Sequence, residues 1–155
     1  MDEEKLNRLP PDVKKQFIKY AIKLSERKKQ TVVNKDFLSF VKHVWPEFIE
    51  GPHHKKIAEK FNDIAEGKIK RLIINMPPRH TKSEFASFLL PAWMVGRKPD
   101  LKIIQTTHTT ELAIRFGRKA KTLIDSPEYQ QMFKTTLRED SQAAGKWETS
   151  QGGEY

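Results

Sequence analysis

Lys82 and Ser83 follow a short apolar run and a proline-bearing loop in RLIINMPPRHTKSEF (71–85). An ammonium and a hydroxyl at that point, where a helix is predicted to begin, are the groups that hold a nucleotide phosphate and its magnesium ion. A triphosphate needs backbone N–H donors and positive charge in a concave turn. Pro77 and Pro78 have no N–H and can only set the exit angle of the chain. The available donors are the amides of Arg79, His80, Thr81, Lys82 and Ser83. Lys82 would set a compact charge on the β and γ phosphates, and Ser83 would give its hydroxyl to Mg²⁺. Arg79 offers a planar fork suited to phosphate oxygens and is the candidate for a transition-state contact. The expected nucleotide-contacting set is Pro78, Arg79, His80, Thr81, Lys82, Ser83 and Glu84, with Lys82 and Arg79 in the catalytic role.

The pattern departs from G-x-x-x-x-G-K-[ST] at both glycines, which are Met76 and Thr81 here. Thr is β-branched and resists positive φ; a loop that demanded it at 81 would store about 1–3 kcal/mol. The expectation is a loop shape that avoids this. Residues 76–83 alone also admit a plainer reading, a proline turn before a helix whose first turn holds Lys and Ser.

The flanking elements bear on the choice. Leu72–Ile74 and 101–106 (LKIIQT) read as short strands buried on both faces. Between them a helix is predicted over about 82–95, with Phe85, Phe88 and Leu89 on one side. Strand, helix and strand over about 30 residues make a parallel crossover unit. The expected fold class is α/β, a P-loop NTPase-type parallel sheet flanked by helices, with the loop at the carboxyl end of a strand.

Segments 37–48 (FLSFVKHVWPEF), 51–85, 103–133 and 147–155 (WETSQGGEY) together resemble the N-terminal half of the ATPase domain of a large terminase subunit of tailed bacteriophages. The order and spacing of all four fit over about three quarters of the chain. Loops of the PPRH-x-KS type are at home in that family, with Gly at the place of Thr81. The resemblance implies ATP hydrolysis coupled to translocation of double-stranded DNA into a capsid. It further implies ATP and Mg²⁺ as ligands, the small terminase subunit and portal protein as partners, a ring assembly, and the bacterial host cytoplasm as location. It implies division into a helical lead-in over 1–34 and part of an ATPase domain over 35–155. The family's acidic strand, coupling motif and nuclease domain have no counterpart here, so the core is expected to be incomplete and the piece inactive alone. Glu139-Asp140 is the nearest acidic pair and reads as a solvated turn. Two other classes stay open: a fragment of a helicase-like P-loop ATPase, and a non-enzymatic basic nucleic-acid-binding module.

Composition fits a partial or small domain: 37% apolar and 32% charged residues in 155. The absence of cysteine excludes disulfides and thiolate metal sites. No apolar stretch reaches the length of a membrane span, and MDEEKLNR is not a signal peptide. Lys+Arg 29 against Asp+Glu 20 gives a net charge of +9, which favours a polyanionic partner. A helix predicted over 109–124 buries Leu112, Phe116, Ala120 and Leu123 and shows Arg115, Arg118, Lys119 and Lys121 on its flanks. That basic flank suits either DNA backbone contact or plain solvation.

Upstream, Pro10-Pro11-Asp12 starts a predicted helix that lines Val13, Phe17, Tyr20, Ala21 and Leu24 on one face and ends near the polar run 26–30. Asn34 is the expected N-cap of a second helix over 35–44, and a third over about 53–66 ends at Gly67. His53 and His54 diverge as neighbours on a helix, so capping and surface roles are expected for them. His80 is assigned either a phosphate contact or a purely structural bond.

Overall fold

The computed structural model describes residues 10–155. Helix α1 (Pro11–Lys35) starts with proline in its first turn, where a missing N–H leaves no bond unmade. It runs past the polar stretch 26–30 because its last turns dock on the body of the protein. The Trp93 indole N–H donates to the Val33 carbonyl at 2.8 Å, and Gln30 Nε2 donates to the Gln131 carbonyl at 2.6 Å. The apolar face is on the surface: Val13, Phe17, Tyr20 and Leu24 are exposed, and Val33 is the buried residue of this helix. Periodicity reported an amphipathic helix correctly, but the elements it meets lie only beside its C-terminal end. Residues 1–9 of the expected lead-in lie outside the described residues.

Asp36, not Asn34, caps α2 (Phe37–Val44). Its carboxylate accepts the Ser39 N–H at 2.8 Å and the Asn62 side-chain amide at 2.9 Å, while Asn62 Oδ1 accepts the Phe37 N–H at 2.9 Å. These bonds hold its pKa below the usual carboxylate value, although burial works the other way. The second partner belongs to α3 (Pro52–Ala65), so the cap also locks two helices together. Gly67 follows α3 with φ +75, the left-handed geometry of a helix stop.

After the phosphate-loop candidate the chain is helical throughout 82–97, as α4 (Lys82–Glu84), a π-helical stretch Phe85–Leu89, and α5 (Leu90–Arg97). Pro91 explains the π turn. It has no N–H for the Ser87 carbonyl, and widening the preceding turn lets the Leu90 N–H bond the Phe85 carbonyl instead. The core forms around this segment. The Phe37 ring meets Phe61, Phe85 and Trp93 edge-on at 5.0, 5.4 and 5.5 Å. Helices α6 (Thr110–Ile124) and α7 (Pro127–Met132) close it with Phe116, Ala120, Ile124 and Tyr129. Thr109 caps α6 by accepting the Leu112 N–H. The Tyr129 hydroxyl donates to the Ala92 carbonyl at 2.7 Å, and burial raises its pKa.

Strands β1 (Leu137–Ala143) and β2 (Lys146–Thr149) form a two-stranded antiparallel sheet with an irregularity between Leu137 and Gln142. Residues 153–155 extend it: Trp147 and Tyr155 exchange both backbone bonds, and the Ile103 N–H donates to the Glu154 carbonyl at 2.8 Å. Gly153 is required there, because a Cβ would lie 2.3 Å from the Pro99 carbonyl oxygen. Glu139-Asp140 lies on β1 rather than in a turn, exposed, with Asp140 paired to Arg138 at 2.6 Å.

The protein is thus helix-rich and mixed, with a small antiparallel sheet; a parallel sheet is not among the described elements. Segments 71–76 and 101–106 alternate between exposed and half-buried residues, the period-two pattern of a pleated strand. Leu72, Ile74, Met76 and Ile103 pack on the core. Ile73 and Ile104 point outward, 86% and 92% exposed. The double-sided burial expected for these strands is absent: the described residues leave their second face open. No helix among the described residues is long and apolar enough to cross a membrane.

Candidate functional site

Residues 76–83 form a tight loop leading into α4. Arg79 and Thr81 both have positive φ, 64 and 57. The expectation that the loop avoids this geometry at Thr81 is therefore overturned. Chain reversal from segment 71–76 into a helix uses two left-handed residues close together, and Thr81 supplies the second at a cost of about 1–3 kcal/mol. Turns of this kind line successive N–H groups along a concavity. A hollow of about 260 Å³ sits there, walled by Arg79, His80, Thr81, Lys82, Ser83 and Glu84.

The side chains around it divide by role. Lys82 Nζ donates to the Pro77 carbonyl at 3.2 Å, so the ammonium folds back across the loop. His80 Nδ1 donates to the Pro78 carbonyl at 2.9 Å, which assigns His80 a structural bond within the turn. Pro78 contributes that carbonyl and no amide. Arg79 and Ser83 are exposed, and neither side chain has a partner among the described residues. Both are positioned to meet a ligand. Glu84 lies on the wall, but its carboxylate is held by Lys119 of α6 at 2.7 and 2.8 Å. Lys119 also sits 5.2 Å from the Phe88 ring centroid.

Mg²⁺ keeps most of its waters and takes few protein ligands beside substrate phosphates. The unpartnered Ser83 hydroxyl fits that demand. No group of three or more His, Asp or Glu is arranged for a metal among the described residues.

His54 is the functional candidate that sequence reasoning missed. It is only 6% exposed, inside the protein rather than on its surface. Its Nδ1 accepts the Gly51 N–H at 2.8 Å. Its Nε2 lies 2.6 Å from the Thr81 hydroxyl, which itself donates to the His80 carbonyl at 2.7 Å. The order of donors assigns the neutral Nε2–H tautomer. The spacing Gly51-Pro52-His53-His54 was the available signal. It puts His54 at the third helical position, where a side chain reaches back to the N-cap amide.

Burial first, then the neighbouring His53, lower the pKa of His54; Glu50 pulls the other way, and His80 adds the smallest push downward. With the folded value below the ordinary 6.5, the unfolded chain takes the proton first as pH falls. Stability from neutral His54 is complete above that pH and declines below it, until the folded protein protonates too. Melting curves of wild type and His54→Phe from about pH 8 to about pH 5 test this. The wild type should lose more over that window, and parallel curves would contradict the assignment.

A larger open groove of about 990 Å³ runs along α6, lined in part by Phe88, His108, Leu112, Arg115, Arg118 and Lys119. Glu111 and Glu128 also line it, so its charge is mixed. It is roomier than the loop hollow. A comparison with protein-family models, curated proteins and solved structures finds no match for this chain.

Proposed function

We propose that this chain is the ATP-binding part of a viral DNA-packaging motor of the large terminase type. The observation that carries the reading is the hollow walled by Arg79–Glu84, shaped by two left-handed residues, with the Lys82 ammonium folded over the loop. In this reading Lys82 exchanges the Pro77 carbonyl for phosphate oxygens, a stronger, charge-assisted contact. The loop amides hold the phosphates without reorganising. Ser83 offers its hydroxyl to Mg²⁺, and Arg79 swings its fork onto the terminal phosphate. The Glu84–Lys119 pair ties the first turn after the loop to α6, whose exposed Arg115 and Arg118 suit contact with DNA phosphates.

The period-two exposure of segments 71–76 and 101–106, with Leu72, Ile74, Met76 and Ile103 on the core, supports strands of the kind that flank a phosphate loop. Among the described residues no acidic strand end lies beside the hollow to orient attacking water, so binding without turnover is expected. Calorimetric titration with Mg·ATP should saturate at one nucleotide per chain, while phosphate release stays at background. Absence of saturable heat contradicts the nucleotide reading. Turnover well above background, abolished by Lys82→Ala, contradicts the reading of an incomplete motor.

The groove on α6 favours a second reading, a basic binding module with no nucleotide chemistry. Equal DNA binding by wild type and Lys82→Ala, with no nucleotide binding by either, would select it.

A further inference from the structure

Thr81 combines a backbone conformation that β-branched residues resist with a hydroxyl held from outside the loop. The hydroxyl's partner is on α3, 27 positions earlier in the chain. We propose that His54 is the positioning residue of the phosphate loop. Its neutral imidazole, oriented by the Gly51 amide, grips the Thr81 hydroxyl and so keeps the left-handed turn that shapes the hollow. The inference rests on reading residues 76–83 as a nucleotide cradle, and explains how that cradle works with threonine at the place of a glycine.

Three observations converge on it. The imidazole is bonded at both nitrogens, so it cannot turn away without losing two bonds. Phe48 and Phe85 hold the ring, at centroid distances of 4.8 and 5.1 Å. The bond chain then passes through Thr81 Oγ1 to the His80 carbonyl, within the stretch that walls the hollow. A glycine at 81 would take positive φ without strain and would need no such grip. The histidine and the threonine therefore act as a pair. The charged or titratable neighbours of His54 are His53, Glu50 and His80; the His53 and His54 ring centroids are 3.8 Å apart, so the two side chains do not diverge as expected of helix neighbours.

The test is a double-substitution cycle on the full chain with His54→Phe, which keeps the ring packing, and Thr81→Gly. His54→Phe alone should weaken Mg·ATP binding about tenfold and lower the melting point by about 4–8 °C, the scale of the two hydrogen bonds the imidazole makes. In the Thr81→Gly background the same change should alter Mg·ATP affinity by no more than about twofold, since the bond it removes no longer exists. Thr81→Val, which keeps volume and strain but removes the hydroxyl, serves where His54→Phe does not fold and should match its loss of affinity. Nitrogen-15 spectra of the wild type should place the proton on Nε2 of His54. Equal affinity losses in both backgrounds, or a proton on Nδ1, would overturn the proposal. If the wild type binds no Mg·ATP, the cradle reading fails and the melting cycle alone judges the pair. Non-additive shifts in melting point then uphold the grip, and additive shifts overturn it.

Discussion

Lys82→Ala lowers Mg·ATP affinity by about 30- to 150-fold and leaves the melting point nearly unchanged. A unit charge about 4 Å from a phosphate oxygen is worth roughly 4 kcal/mol at the effective dielectric of a protein surface. Lys82 is half-buried, so screening leaves about 2–3 kcal/mol. A single loop amide contributes only about 1 kcal/mol, so the lysine is the side chain whose removal is felt first. In the absence of nucleotide its ammonium makes one bond, to the Pro77 carbonyl, and losing a bond of that kind costs little stability. Lys82→Arg should not rescue binding, because a planar fork does not fill the place of a compact ammonium. Calorimetry and melting curves on the same preparations separate the two effects. A large fall in melting point with unchanged affinity would assign Lys82 a structural role.

Trp93→Ala destabilises the fold by about 3–5 kcal/mol. The indole is fully buried, and its ring touches the centre of the aromatic core at Phe37. Its N–H is the bond that ties α1 to the body of the protein at Val33. The Arg97 guanidinium stacks 4.6 Å from its ring centroid. Truncation therefore opens a cavity, leaves the Val33 carbonyl without its partner, and frees α1. Domains of this size hold only about 5–15 kcal/mol in total. The apolar surface left on α1, Ile73 and Ile104 argues for the lower part of that range. Urea unfolding followed by circular dichroism should show the variant largely unfolded or melting at much lower urea. A shift below about 1 kcal/mol would mean that the core does not centre on Trp93.

What was legible in the sequence followed from local rules. The spacing of Ile57 and Phe61 and the stop at Gly67 located α3, because both depend on nearby residues alone. Phe116 and Ala120 did the same for α6. The Lys82-Ser83 turn was legible because a helix start needs only its own flanks. Features set by distant partners were not. Asp36 displaces Asn34 as a cap because Asn62, on another helix, completes its bonds. The stripe Val13, Phe17, Tyr20 and Leu24 has helical period, yet period carries no information on whether anything packs against it. Leu72–Ile74 reads as a strand covered on both faces, but an apolar run carries no information on what packs against it, and the described residues leave Ile73 exposed. Thr81 accepts the left-handed turn because of a histidine outside the loop, and a motif read alone has no means of showing that.

The central claim is that the amides after Pro78 enclose an anion. It is tested most directly by recording the amide spectrum of nitrogen-15-labelled protein while Mg·ATP is added. The account predicts saturable shifts concentrated at Arg79, His80, Thr81, Lys82 and Ser83, on a curve that inorganic triphosphate reproduces more weakly. Saturating nucleotide that leaves those five amides unmoved, or that shifts only residues along α6, would contradict it.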